Sequence, residues 1–298
     1  MLQNLFQALM ITAQKPHLGF IITVLAGCTN MFLDYLMVGV MNLGLAGAAW
    51  ATVISQAVGG IIPLIYFLLP NSSLLHIGKT RFYGKVFLSA CTNGSSELVS
   101  NISSSIVAIL YNKKLMEYAG QNGVSAYGVF MYVSFVFVAI FIGYAIGSAP
   151  IVSYHYGAKN YDELKNLFRK GITVNAVFGV IMLILGEATA VPLGELFVGY
   201  DPELLEITCR CFYIGSICYL FAGTNIFASS FFTALNNGLV SAIISFMRTL
   251  VFQTSTVLLL PLIWKLDGVW MSITAADILS FCVTLFFLIR LRKKYHYA

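Results

Sequence analysis

Eight stretches of this chain are each long and apolar enough to cross a lipid bilayer as a helix. About 20 consecutive apolar residues span roughly 30 Å of hydrocarbon, and a helix satisfies its own backbone groups there. The stretches lie at about residues 18–40, 46–69, 86–111, 124–150, 170–190, 206–234, 239–262 and 268–290. The composition agrees, because 59% of the residues are hydrophobic and only 10% are charged, with a mean hydropathy of +0.85. We therefore predict an all-α polytopic membrane protein.

The first apolar stretch, residues 1–13, is too short to cross the membrane. It has neither a basic segment before it nor a small-residue cleavage site, which argues against a secretory signal peptide. We interpret it as the end of a longer helix.

The basic residues predict the orientation of the chain. If the loop that holds Lys15 is cytoplasmic, alternation of the spans places twelve Lys and Arg residues on that side and four on the other. The four on the outer side are Lys113, Lys114, Arg210 and Lys265. This bias predicts a multi-pass protein of the cell membrane with a cytoplasmic C-terminus. The net charge of +5 then reflects topology, and we expect no nucleic-acid partner.

The chemistry of soluble enzymes finds little support in the sequence. None of the four histidines pairs with another ligand at the spacing of a metal site on a helix. The segment HIGKT at residues 76–80 lacks the first glycine of a phosphate-binding loop, and no nucleophile lies beside a base. We expect neither an enzyme nor a bound cofactor.

Two stretches of the chain resemble each other: LAGAAWATVISQAVG from Leu45 and LDGVWMSITAADILS from Leu266. Upstream of them, FQAL from Phe6 resembles FTAL from Phe232, and each is followed by a polar turn and a long apolar stretch. The interval between the copies holds six spans, so both copies enter the membrane from the same side. This pattern predicts a parallel repeat, as in several secondary transporters.

The repeat predicts that the chain contains one complete lobe and part of a second. Residues 80–298 would form a complete six-helix C-terminal lobe, helices 7 to 12 of a 6+6 arrangement. Residues 1–79 would be the remnant of the N-terminal lobe, with the end of helix 4 and helices 5 and 6. On this arithmetic about 140 to 150 residues are missing from the front, and the missing N-terminal helices would be a partner of this chain.

A polar stripe runs along the stretch TNGSSELVSN, residues 92–101. At 100° per residue, Asn93, Ser100 and Ser104 share an arc of about 100° with Glu97 and Asn101. A charge at the centre of a bilayer costs about 2.5–3.5 kcal/mol, so this stripe should face protein or water rather than lipid.

The stripe has two interpretations. Small polar residues let helices pack closely, and this interpretation is favoured for Ser100 and Ser104. Alternatively, Glu97 with the amide oxygens of Asn93 and Asn101 binds a coupling cation, either Na⁺ or H⁺. We favour the cation site for Glu97, because ionisable groups inside a membrane are usually functional.

Three further charged residues lie at membrane depth in the predicted spans. Asp277 is a second coupling-ion candidate, and the repeat places Gln56 at the same position in the first copy. Arg248 lies nine residues into its stretch and needs a carboxylate partner, either Asp277 or Glu97, so we predict an intramembrane ion pair. Asp34, near the end of its span, is interpreted as structural.

Several segments together resemble the multidrug and toxin extrusion (MATE) family of efflux transporters. They are NGVSAYGVFMYV at 122–133, IGSAPIVSYHYGAKNYDELKN at 146–166, and N-x-x-x-D at 30–34 followed by LAGAAWATVISQ at 45–56. The resemblance covers essentially the whole chain and implies a twelve-helix, two-lobe transporter that exchanges organic cations for Na⁺ or H⁺. Where many members have Gly-Gln-Asn-x-Gly, this chain has SYHYG at 153–157.

The resemblance also implies roles for individual residues. Glu97 falls where many members carry an acidic residue implicated in cation coupling, and Tyr127 falls in the AYG segment of the eighth helix. Tyr127, Tyr132 and Phe135 can line a cavity for flat cations through cation–π contacts, and core packing explains most of them equally well. The GAKNYDEL segment should form a cytoplasmic turn, in which Gly157 permits the bend and Asn160 caps the next helix.

We therefore expect a Na⁺- or H⁺-coupled antiporter that exports organic cations and other xenobiotics through the lipid bilayer. One alternative is a flippase for lipid-linked oligosaccharides, which needs several cationic residues around its cavity, whereas Arg248 is the only one at depth. Another alternative is a truncated fragment that does not transport.

Overall fold

A computed structural model describes residues 2–70, 73, 75, 78 and 82–298 of the chain, and it leaves the side chains of residues 93, 95–97, 99 and 100 outside the description. Every regular element in the described part is helical, as predicted for an all-α protein. The backbone forms two compact units, Met1–Phe82 and Tyr83–Ala298. We call them the first unit and the second unit.

The first unit contains three helices around a small apolar core. Its helices are α1 (Leu2–Thr12), α2 (Pro16–Asp34), which continues into a π-helical turn at Tyr35–Val40, and α3 (Gly44–Leu68). Phe6, Met10, Ile22 and Phe67 are buried together at the centre. Large apolar side chains such as Phe20, 69% exposed, point outward, which is typical of a helix that faces lipid.

The second unit contains the remaining helices. They are α4 (Gly84–Gly157), α5 (Tyr161–Val198), α6 (Pro202–Gly215), α7 (Tyr219–Ala234), α8 (Gly238–Phe246), α9 (Gln253–Leu259) and α10 (Pro261–Tyr295). A short 3-10 turn at Ser216–Cys218 joins α6 to α7, and a π-helical turn at Met247–Phe252 joins α8 to α9. Their core includes Phe130, Tyr219 and Trp270, all almost fully buried.

Helix α4 is two helices that meet at a turn. Gly120 has a non-helical backbone, with φ 58° and ψ −146°, a conformation that favours glycine. On one straight helix Tyr111 and Tyr127 would be about 24 Å apart, yet their rings stack with centroids separated by 5.2 Å. The chain therefore reverses direction near Gly120, so α4 contains both predicted spans at 86–111 and 124–150.

Seven helical stretches in the described part are long and apolar enough to cross a membrane. One of them, Asn101–Gly157, contains the turn at Gly120 and so includes portions of two predicted spans. The other six correspond to the remaining predicted spans, and several extend beyond the apolar residues. For example, the helix Tyr161–Val198 is longer than the predicted span 170–190, because its first turns are polar but still helical.

The turn between α4 and α5 differs in one detail from the prediction. Asn160 caps α5 as expected, since its side chain accepts a hydrogen bond of 3.3 Å from the Glu163 amide. Gly157, however, is the last helical residue, and the left-handed conformation falls on Lys159, with φ 56°. The bend predicted at Gly157 therefore falls two residues later, because Ala158, with φ −77° and ψ −2°, keeps a right-handed backbone before the chain turns at Lys159.

The two units end in the same succession of backbone features. In each unit a positive-φ residue follows a helix, at Gln14 in the first and Asn236 in the second. A span with a π-helical turn comes next, and the final long helical run follows a positive-φ residue, Gly44 in the first unit and Lys265, which interrupts α10 near its start, in the second. The first unit has one further positive-φ residue, Asn42. This succession supports the repeat, while the assignment of residues 1–79 and 80–298 to the two lobes of a larger transporter stays a prediction.

Candidate functional site

The candidate site is a pocket in the second unit, lined by α4, α7, α9, α10 and the π-helical turn before α9. We call it the Arg248 pocket. Its volume is about 280 Å³. Its aromatic lining consists of Tyr111, Tyr127, Phe130, Phe135 and Tyr219, and its polar lining includes Ser104, Ser134, Arg248, Thr249, Gln253 and Asp277.

An ion pair forms one wall of the Arg248 pocket. Arg248 Nε donates a hydrogen bond of 2.7 Å to Asp277 Oδ1. The two side chains are 19% and 4% exposed, respectively, so the carboxylate is almost fully buried and the guanidinium partly faces the pocket. Of the two carboxylates considered as partners in the sequence, the structure thus pairs Arg248 with Asp277.

The surrounding helices hold Asp277 in place through its backbone. Asn225 Nδ2 on α7 donates a hydrogen bond of 3.0 Å to the Asp277 carbonyl oxygen, and Thr284 Oγ1 donates one of 2.9 Å to Asn225 Oδ1. Because all three residues are buried, these bonds fix α10 against α7 at the level of the ion pair. The position of the carboxylate is therefore defined by two helices.

The aromatic walls are also fixed by hydrogen bonds at their polar ends. The Tyr111 hydroxyl shares a hydrogen bond of 2.8 Å with Ser272 Oγ, and the Tyr219 hydroxyl shares one of 2.6 Å with Ser134 Oγ. Tyr127 stacks on Tyr111, with the two rings only 4° from parallel. Tyr127 also stacks on Trp270, and Tyr111 and Tyr219 are each only 1% exposed, so these contacts make the aromatic wall of the pocket rigid.

The remaining sequence candidates lie in different places. The backbone of Asn93 and Glu97 belongs to α4, but their side chains lie outside the described residues. Asn101 is exposed and does not line the pocket. Tyr127 lines the pocket, whereas Tyr132 is 75% exposed and does not.

Sequence reasoning missed several pocket residues. Tyr111 lies fourteen residues after Glu97, which is close to four helical turns, so extending the polar stripe along the helix would have found it. Gln253 and Tyr219 lie on other helices, and no pattern in the sequence indicates that they reach the same pocket.

Asp34 of the first unit, interpreted from the sequence as structural, has a buried Oδ1 with no hydrogen-bond partner in the described part of the chain.

Comparison with known proteins gives concordant matches. The MatE family model matches residues 98–258, more than half of the chain. A probable multidrug resistance protein of Bacillus subtilis, YoeA, is 28% identical over 256 residues, covering 82% of this chain and 54% of the relative. Protein DETOXIFICATION 42 of Arabidopsis thaliana is 26% identical over 266 residues, covering 85% and 49%. The chain thus spans about half the length of these curated relatives.

The fold also matches solved structures. A MATE family transporter of the MOP superfamily in an outward-facing conformation matches with a TM-score of 0.91 and 18% identity. The match covers 99% of this chain and 67% of the transporter. At this identity the similarity establishes the fold.

Proposed function

Because the chain belongs to the MatE family, whose members include multidrug export proteins, we propose that it acts in cation-coupled efflux of organic compounds. In this proposal it is a multi-pass membrane protein that exchanges Na⁺ or H⁺ for organic cations, with its C-terminus in the cytoplasm. The observation that carries the proposal is a nearly buried carboxylate, Asp277, paired with Arg248 on the wall of an aromatic pocket.

The Arg248–Asp277 ion pair suits a site at which the coupling cation and the exported compound compete. A proton or Na⁺ that binds Asp277 weakens the attraction between Asp277 and Arg248, since the carboxylate charge is then neutralised. The guanidinium becomes free to turn, and the shape and charge of the pocket change with it. Antiport requires only that the coupling cation and the exported compound prefer different states of the protein.

Glu97 is the second acid in the proposal. It lies seven residues before Ser104, almost two helical turns, and Ser104 lines the Arg248 pocket. Asn93 and Asn101 lie one turn to either side of Glu97 and can supply amide oxygens for Na⁺. We propose that Glu97, with Asn93 and Asn101, loads the coupling cation close to the pocket.

A flippase for lipid-linked oligosaccharides is less well supported. A pyrophosphate group requires several cationic side chains, and Arg248 is the only cationic residue among the described lining of the pocket. That residue already uses one donor on Asp277. The pocket therefore favours the efflux proposal.

Exchange in proteoliposomes tests this proposal. The unmodified chain should export a fluorescent cationic drug when an inward Na⁺ or H⁺ gradient is imposed, and Glu97→Gln should lower that rate by about tenfold or more. Glu117→Gln is the matched control, because Glu117 lies on the same helix near the Gly120 turn and pairs with Lys114 at 2.8 Å. An unchanged rate for Glu97→Gln would remove Glu97 from coupling. No exchange by the unmodified chain would favour a non-transporting fragment.

A further inference from the structure

The end of α10 carries a cluster of exposed cations, Arg290, Arg292, Lys293 and Lys294. They follow residues 268–289, a stretch in which Asp277 is the single charged residue. At 1.5 Å per residue this stretch is about 33 Å long, which is close to the thickness of the hydrocarbon core of a bilayer. The cations therefore lie at the level of the lipid headgroups.

Three of these cations lie on the face of α10 that points away from the core. At 100° per residue, Lys293 and Lys294 lie within about 60° of Arg290, whereas the buried Leu288 lies about 160° away from it. Phe286, one turn before Arg290, is 54% exposed, and its ring centroid is 5.8 Å from the guanidinium carbon of Arg290. We call Phe286, Arg290, Lys293 and Lys294 the Arg290 face. An exposed apolar ring and three cations thus follow one another along the helix, in the order of the acyl chains and the headgroup of a phospholipid.

The residues after α10 hold this end of the helix in place. Tyr297 is 0% exposed, and its hydroxyl donates a hydrogen bond of 2.8 Å to the Leu288 carbonyl oxygen. Between centroids, its ring lies 4.8 Å from that of Phe168 on α5 and 5.2 Å from that of Phe231 on α7. The end of α10 is therefore packed against two other helices. The cations occupy defined positions before a ligand binds, which lowers the entropy cost of binding.

The cations of the Arg290 face have no internal anion. Among the residues whose side chains the structure describes, no carboxylate forms an ion pair with Arg290, Lys293 or Lys294. Near the beginning of α10, by contrast, Asp267 accepts a hydrogen bond of 2.6 Å from Arg210 Nε. Neighbouring unpaired cations attract an anion together, so the Arg290 face favours an anionic headgroup over a zwitterionic one.

We propose that the Arg290 face binds an anionic phospholipid, with the phosphate between Arg290 and Lys294 and the acyl chains along Phe286. Residues four apart are neighbours on the surface of a helix, and a guanidinium matches two oxygens of a phosphate. A soluble anion would contact the cations alone, whereas a phospholipid also covers the exposed ring beside them. The inference goes beyond the proposed efflux function, and it holds for either orientation of the chain in the membrane.

Native mass spectrometry of the purified chain tests the inference. The chain is titrated in detergent with dioleoylphosphatidylglycerol, which is anionic, or with dioleoylphosphatidylcholine, which is zwitterionic and has the same acyl chains. Dissociation constants follow from the intensities of the free chain and of the chain with one bound lipid. We expect the anionic lipid to bind about tenfold tighter. Glycerol phosphate, which has the phosphate without the acyl chains, should give no adduct at the same concentrations.

Paired variants locate the site. Arg290→Gln/Lys294→Gln should reduce the preference to about twofold, and Arg290→Glu/Lys294→Glu should make the zwitterionic lipid the tighter ligand. The control Lys113→Gln/Lys265→Gln also removes two exposed cations, at positions predicted to lie on the other side of the membrane, and it should keep the tenfold preference. Because all four side chains are exposed, these variants should fold as the unmodified chain does.

Four results would overturn the inference. They are equal binding of the two lipids by the unmodified chain, an undiminished preference in Arg290→Gln/Lys294→Gln, loss of the preference in the control variant, and binding of glycerol phosphate as tight as that of the anionic lipid. The last result would show a site for soluble anions. Lipid binding is measured without transport, so absent exchange in proteoliposomes would leave this inference standing.

Discussion

The first and second units share a succession of turns and helices at their ends, but they differ in charge at the positions that the repeat matches. Arg248 lies twelve residues after the positive-φ residue Asn236, and Ala26 lies twelve residues after Gln14. Asp277 lies twelve residues after Lys265, and Gln56 twelve residues after Gly44. The ion pair of the second unit is thus matched by two neutral residues in the first.

This difference distinguishes features that the fold requires from features that serve a function. The turns and the π-helical segments occur in both units, so they belong to the way each pair of spans folds. A charged pair at membrane depth carries a desolvation cost and adds little stability over apolar residues of similar size. The described residues of the first unit contain no such pair, so the pair of the second unit indicates a role beyond folding.

The largest effect is expected when one charge of the pair is removed. Asp277→Asn leaves the Arg248 guanidinium without its anion, which should lower the free energy of unfolding by about 3–5 kcal/mol. Denaturation by SDS in mixed micelles measures it. The matched change in the first unit, Gln56→Ala, should stay within about 0.5 kcal/mol because Gln56 is exposed. Equal effects at the two positions would contradict the difference between the units.

Glycines at the start of the two final helices should differ in a second way. A Cβ at Gly268 would lie 2.5 Å from the carbonyl carbon of Leu260, a backbone atom that cannot rotate away. At Gly47 the closest atoms, the Leu43 Cβ and the Met37 carbonyl oxygen, are 3.0 Å away. Gly268→Ala should therefore cost about 1–3 kcal/mol and Gly47→Ala less, in the same SDS titration. The reverse order would show that the packing of the repeat is misassigned.

The smallest effect concerns the turns before these helices. Lys265 adopts φ 49° and ψ −125°, a conformation that a side chain disfavours, while Gly44 has φ 55° at the corresponding position of the first unit. Lys265→Gly should stabilise the protein by about 1 kcal/mol, and Gly44→Ala should destabilise it by a similar amount. Thermal unfolding in detergent measures both. A loss of stability in Lys265→Gly would mean that a contact of the Lys265 side chain stabilises the fold by more than the backbone strain destabilises it.

The spans of this fold could be predicted from the sequence because hydropathy and length alone define a membrane helix. The need of Arg248 for a carboxylate was equally clear, since an unpaired guanidinium at depth is costly. The choice between Asp277 and Glu97 was not, because it depends on distances between helices that no local pattern contains. The sequence could also have separated two of its own candidates, because Tyr132 lies about 140° around the helix from Tyr127.

The pocket itself was beyond the reach of sequence patterns. Its walls come from residues more than 80 positions apart, such as Ser134 and Tyr219, which share a hydrogen bond of 2.6 Å. The bend at Lys159 rather than at Gly157 shows the same limit on a smaller scale. A glycine permits a turn, but helix propagation and the cap of the next helix decide where the turn occurs.

The most direct test of the account compares transport by two matched variants in proteoliposomes. The double variant Arg248→Gln/Asp277→Asn removes the ion pair of the second unit without leaving a buried charge, and Gln56→Ala changes the matching position of the first unit. We expect gradient-driven export to fall by about tenfold or more in the double variant and to stay unchanged in Gln56→Ala. Export by the double variant at the rate of the unmodified chain would contradict it.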